Sequence, residues 1–249
     1  MTGQSPSTDQ GHALIVRRFG IVEYHAAWRA MRALTDGRRS DTPDELWILQ
    51  HSPVFTLGQA GRSEYVLSPG DIPVLNSDRG GQVTYHGPGQ TVFYILHDLK
   101  RARIGVRRLV EHMEQAIIDL LSRAGLRAAR LAGAPGVYVN GKKICALGLR
   151  VRNGCSYHGL ALNVDLDLEP FSRIEPCGMR GLEVTSLQQL GVDWTVSDAE
   201  RFLIPILAAQ LGFSPDAIRE FAGDFSAQGP PLNPIGQRGA RRLEPGTIQ

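Results

Sequence analysis

The sequence predicts an α/β fold of the α+β type, a mixed or antiparallel sheet sandwich with flanking helices. Three observations predict it. Asn140-Gly141 and Asn153-Gly154 are each flanked by apolar, β-branched runs, the strongest short-range signal for a hairpin. Apolar residues recur at helical spacing from Val106 through Leu109, Val110, Met113, Ile117, Leu120 and Leu121 to Ala124. Strand-like runs also arrive in blocks with helical patterns beside them, whereas a doubly wound parallel sheet alternates the two.

In chain order, a strand is expected at 13–17 and a helix over 21–34, stopping near Asp36-Gly37. Two short apolar runs, 45–50 and 54–57, are split by Pro53, which a central strand does not accommodate. β-Rich runs at 83–85 and 91–96 flank the turn set His86-Gly87-Pro88-Gly89. The helix over 106–124 stops at Gly125. The two hairpins then predict a three-stranded antiparallel meander over 137–164. Its second two-residue turn sets the register: Arg152 faces Cys155, Gly148 faces Gly159, Ala146 faces Ala161 and Lys143 faces Val164. Opposed glycines leave a notch in which a narrow ligand can lie against backbone. Farther on, Ser197-Asp198-Ala199-Glu200 reads as a capping box before a helix to about Leu211, and Ser214-Pro215 as the start of another.

The 249 residues suffice for one large core or two small ones, and no linker interrupts the middle. One domain over 12–225 is therefore expected, between a polar, disordered tail at 1–11 and a Pro/Gly-rich tail at 226–249. The balance of 27 Lys and Arg against 25 Asp and Glu supplies no polyelectrolyte attraction, which argues against bulk nucleic-acid binding. No apolar run approaches the roughly 20 residues of a bilayer span, and the N-terminus lacks a signal-peptide core. Three irregularly spaced cysteines build no disulfide framework, which favours the cytoplasm. Neither His nor Cys spacing suggests a metal site. Nothing in the pattern suggests an extended apolar interface, so a monomer is expected.

Cys177, between Pro176 and Gly178 in a loop, is a candidate nucleophile; the alternative is a buried loop cysteine acting as a small hydrophobe. Cys145 reads as core and Cys155 as incidental. Of Lys142 and Lys143, which point to opposite faces, Lys143 shares its strand face with Cys145, Leu147 and Leu149 and is the buried one if that face is the core; the alternative is that both lysines are solvated beside the hairpin turn. A buried ammonium beside a thiol favours the thiolate. The Gly-rich run 79–90 fits neither the Walker nor the dinucleotide pattern. His86 and His158 fall in the candidate ligand regions. Lys100, Arg101, Arg103, Arg107 and Arg108 form a basic cluster, either a solvated face or a steering surface for an acidic protein.

Three stretches together, RGGQVTYHGPGQ at 79–90, GVYVNGKKICALGLRVRNGCSYHGLALNV at 136–164 and FSRIEPCGM at 171–179, resemble the octanoyltransferases of lipoate assembly. The resemblance covers roughly 13–225. It implies a fold related to the biotin and lipoate protein ligases, and octanoyl (or lipoyl) transfer from acyl carrier protein to a lysine of a lipoyl domain, without a cofactor. The acceptors it implies are the lipoyl domains of 2-oxoacid dehydrogenase complexes and the H protein of glycine cleavage. By motif it makes Cys177 the acyl-accepting nucleophile and Lys143 its partner. It places substrate contacts at Arg79, Gly80, Gly81, Gln82, Val83, Thr84, Tyr85 and His86, at Ala146, Leu147 and Gly148, and at Gly159, Leu160 and Ala161. An ATP-dependent lipoate or biotin protein ligase on the same fold is the alternative.

Overall fold

The computed structural model describes residues 13–178, 181–223 and 225, the Cys177 side chain excepted. The two expected tails lie outside the described residues. The chain runs β1 (Leu14–Val22), α1 (Tyr24–Asp36), β2 (Asp44–His51), β3 (Val54–Leu57), β4 (Val74–Asn76), β5 (Val83–His86), β6 (Gln90–Leu96) and α2 (Val106–Arg123). It continues through β7 (Ala129–Leu131), β8 (Ala134–Val139), β9 (Lys142–Arg152), β10 (Cys155–Asn163), α3 (Val196–Gln210) and β11 (Ile218–Ala222). Eight strands form one sheet in the order β11-β1-β2-β6-β10-β9-β8-β7, and β4-β3-β5 form a smaller one. The large sheet is mixed. β1 pairs in parallel with β11 and β2, and the other neighbours are antiparallel. Pro53 separates β2 from β3, and the two strands enter different sheets.

Period-two alternation sorts the large sheet's side chains onto two buried faces. Leu46, Ile48, Phe93, Ile95, Leu160 and Leu162 pack against α2 and α3. Trp47, Leu49, Val92, Tyr94 and Ala161 lie on the other face with Ala27, Met31 and Leu34 of α1. Burial on both faces explains why β2 and β6 read as nearly continuous apolar runs. Phe55, Leu57, Val83 and Tyr85 of the small sheet pack with Leu166, Phe171 and Ile174.

The meander forms with Arg152 opposite Cys155, Gly148 opposite Gly159 and Ala146 opposite Ala161. Four expectations change. A bulge in β9 shifts its register with β8 between the pairs Tyr138↔Lys143 and Val137↔Cys145, so Ile144 and Cys145 both enter the α2–α3 core. Lys143 therefore leaves the face of Cys145, Leu147 and Leu149. Nor does it face Val164: its N–H donates to Glu183 O and its carbonyl accepts from Thr185 N, both at 2.9 Å, bridging it to Val184. The cap of α3 is Thr195 with Asp198, two residues before the expected box. After Ser214-Pro215 only one 3-10 turn forms, and the chain then extends into β11 because an edge of the sheet is open beside β1.

Candidate active site

A furrow lies on the α1 side of the large sheet, floored by β6, β10 and β9. It is roofed by β5, by the loop before it and by the 171–176 segment. Its wall includes Arg79, Gly81, Gln82, Val83, Thr84 and His86 from the Gly-rich run, and Lys143. Ala146, Leu147, Gly148, Gly159, Leu160 and Ala161 complete the part anticipated from sequence. Gly80 and Tyr85 lie off the wall. The Gly80 N–H donates to Leu149 O at 2.8 Å, and Tyr85 packs against Phe55 and Phe171. Tyr24, Gln90, Val92, Tyr94, Asn163, Phe171, Pro176 and Val184 also line the furrow without having been anticipated. Gln90, Val92 and Tyr94 share one face of β6, so their alternation was a usable signal; that β6 neighbours β10 was not.

The bulge makes Lys143 a furrow residue. Its pairing partner Tyr138 lies on the same face, and Lys143 Nζ sits 5.2 Å from that ring's centroid. Nζ donates to Pro135 O at 3.1 Å, and the residue is 4% exposed. Gly136 has φ +138°, and a Cβ there would meet Lys143 Cε at 3.0 Å and Cys145 O at 2.8 Å. Only glycine suits that position.

The opposed glycines do not leave bare space. A Cβ at Gly148 would meet Arg79 Cδ and Gly80 O at 3.2 Å, and one at Gly159 would collide with Phe93 O. Backbone and the Arg79 side chain fill much of the notch. Arg79 is buried and donates to Thr56 O at 2.7 Å, Thr56 Oγ1 at 2.8 Å and Gln82 O at 2.9 Å, which pins the Gly-rich loop to β3.

Beside its apolar groups the wall carries a buried polar chain. His86 Nδ1 meets Gln90 Oε1 at 2.7 Å, and Gln90 Nε2 donates to Asn163 Oδ1 at 2.9 Å. Asn163 Nδ2 donates to Thr185 O at 2.9 Å, and Thr185 N holds the Lys143 carbonyl. One hydrogen-bonded chain thus joins the Gly-rich strand to the lysine's backbone. Burial holds the His86 imidazole well below its ordinary range, with His51 and Arg79 adding to the effect. Burial likewise lowers His51 to about 4 and lowers His158, the latter against the pull of Asp78. Burial raises Asp78, but bonds from His158, Tyr157 and Trp28 outweigh it and hold the carboxyl at about 2.

Cys177 lies in a 3-10 turn, Pro176–Gly178, closed by Gly178 N donating to Glu175 O at 3.0 Å. Gly178 has φ +65°, and Pro176 reaches the furrow wall. Cys145 is buried in the core, and burial pushes its thiol far up. Among the described residues, no three His, Cys, Asp or Glu side chains form a group able to hold a metal. The basic cluster is remote from Lys143, beyond the end of β10 at Cys155, eight residues and about 26 Å from Asn163. There Arg101 binds Asp44 at 2.7 Å, and Arg107 and Arg108 pair with Glu111.

A family model described as lipoyl protein ligase A/B catalytic domain matches residues 23–207. An octanoyltransferase of Shewanella sp. (strain ANA-3) is 57% identical over 204 residues, 82% of this chain and 94% of that protein. That decides the matter. The chain belongs to the octanoyltransferase family. The octanoyltransferase of Thiobacillus denitrificans is 56% identical over 195 residues, 78% of this chain and 89% of the relative. A lipoate-protein ligase A bound with ATP superposes with a TM-score of 0.68 at 18% identity, covering 85% of this chain and 88% of the ligase. At that identity the ligase likeness speaks for the fold alone. As an octanoyltransferase the chain is an acyltransferase enzyme, and the furrow with its buried lysine is where acyl chemistry can be housed. No helix among the described residues is long and apolar enough to cross a membrane.

Proposed function

We propose that this chain carries an octanoyl group from the thioester of acyl carrier protein to the ε-amino group of a lysine in a lipoyl domain, by way of a thioester on Cys177. The observation that carries the reading is the 57% identity to an octanoyltransferase over four-fifths of the chain. In the first half-reaction the Cys177 thiolate attacks the donor carbonyl, and the pantetheine sulfur leaves with a proton from the Lys143 ammonium. In the second, the acceptor amine attacks the acyl-cysteine and passes a proton to Lys143 as the Cys177 sulfur leaves. Atoms and charge balance over the two steps, and the donor thioester is already activated, so no nucleotide is consumed.

Apolar groups support an acyl occupant, since Val92, Ala161, Phe171 and Val184 line the furrow. Each methylene buried there contributes about 0.8 kcal/mol, so a full eight-carbon chain is favoured over short ones by several kcal/mol. The remaining contacts to the substrate come from Arg79, Gly81, Gln82, Val83, Thr84 and His86 and from Ala146, Gly148, Gly159 and Ala161. The acceptors in this reading are the lipoyl domains of 2-oxoacid dehydrogenase complexes and the H protein of glycine cleavage. The working unit is a monomeric domain over 12–225 in the cytoplasm.

The test is transfer without ATP. Octanoyl-acyl carrier protein and an unmodified lipoyl domain are mixed with catalytic amounts of the chain, and the lipoyl domain is weighed by mass spectrometry. One octanoyl increment is expected. An increment formed only from free octanoate plus ATP would reassign the chain to the ligases.

A further inference from the structure

We propose that Glu114, on α2, is a positioning residue that acts on Lys143 through the Pro135–Gly136 peptide; this rests on the reading of Lys143 as the partner of Cys177. One peptide unit faces both groups. The Pro135 carbonyl accepts from Lys143 Nζ at 3.1 Å, and the N–H of Gly136 donates to Glu114 Oε1 at 3.1 Å. In a planar trans peptide the C=O and N–H point in opposite directions, so a carboxylate that grips one aims the other. A negative acceptor on the N–H also polarises the peptide and strengthens its carbonyl as an acceptor for an ammonium.

Glu114 is suited to hold such a link still. It is buried at 7% exposure, and its other oxygen accepts from Arg130 Nε at 3.0 Å. Arg130 is tied in turn to Glu111 O and Gln115 Oε1. The same short segment supplies the ring beside Nζ, because the Tyr138 hydroxyl donates to Ala134 O at 3.0 Å. The 134–138 segment therefore brings the Pro135 carbonyl and the Tyr138 ring to the ammonium, and α2 fixes it from behind. A buried polar residue on the apolar face of α2 has no packing reason to be there; this peptide gives it one.

The test is the rate at which iodoacetamide alkylates Cys177, read on its own peptide by mass spectrometry. Glu114→Met should slow it about threefold to tenfold, less than a direct charge-assisted hydrogen bond is worth because the carboxylate acts through the intervening peptide, and Glu114→Gln, which keeps an acceptor, by less. In a Lys143→Met background, Glu114→Met should slow it no further, because the effect passes through the lysine. An unchanged rate, or an equal loss in both backgrounds, would overturn the proposal. If Glu114→Met does not fold, the same comparison on Glu114→Gln decides. Failure of the parent reading looks different, since alkylation would then be indifferent to Lys143→Met itself.

Discussion

The two faces of the large sheet are built on opposite principles. The face under α2 and α3 is almost wholly aliphatic, with Leu46, Ile48, Ile95, Leu109, Leu120, Leu162 and Leu203 fully buried. The face under α1 and the small sheet buries Arg79, His51, His86, His158, Gln90, Asn163 and Lys143 as well as apolar groups. The first holds the molecule together by area removed from water. The second trades that gain for polar groups, each of which must be paired. Stability and chemistry are thus separated by the thickness of one sheet, and variants on the two sides should fail in different ways.

The largest effect on stability belongs to the aliphatic face. Leu120→Ala should cost about 2–5 kcal/mol, read as a fall in urea midpoint, while transfer per folded molecule stays unchanged. If the rate per folded molecule falls in step with stability, the separation of the two faces is wrong. The next effect belongs to the polar face and appears on acidification. The His51 imidazole is held at about 4 by burial, against 6.5 when free. Between those values the unfolded chain binds more protons than the folded one, so stability rises with pH across that window and is lost as pH falls through it. His51 alone accounts for up to about 3 kcal/mol, and His86 acts in the same direction. His51→Gln should flatten the dependence of the melting temperature between pH 7 and 5. An unaltered slope would remove His51 from the account.

The smallest of the three effects on stability sharpens the contrast most. Gly136→Ala places a methyl at φ +138° against the Lys143 stem and should cost about 1–3 kcal/mol. Its acyl transfer should nevertheless fall well beyond what the loss of folded protein explains. A variant that is destabilised yet transfers normally when folded would show that the lysine's approach past Gly136 is unimportant.

The aliphatic face and the second hairpin were legible because their signals are local. Helical spacing over 106–124 and the Asn153-Gly154 turn are complete within a few residues, and the register that follows is arithmetic. The bulge at Ile144 was not legible, because it depends on Lys143 bonding to Glu183 and Thr185 some 40 residues on. Separation along the chain likewise hid the hydrogen-bonded run from His86 through Gln90 and Asn163 to Thr185, since Asn163 lies 73 residues from Gln90 and 22 from Thr185. Lys143 was singled out as the buried lysine, but on the wrong face. Its place on the furrow comes from the bulge that sequence could not show. The cap of α3 falls on Thr195 with Asp198 and not on the Ser197 box, because both stretches place a hydroxyl three residues before an acidic side chain and local pattern alone does not separate them.

The most direct test of the central claim is the mass of the protein itself after brief exposure to octanoyl-acyl carrier protein with no acceptor present. The account predicts a gain of one octanoyl group, absent in Cys177→Ser and slow to form in Lys143→Met. A gain that persists in Cys177→Ser, or transfer to a lipoyl domain with no acylated protein ever detected, would contradict it.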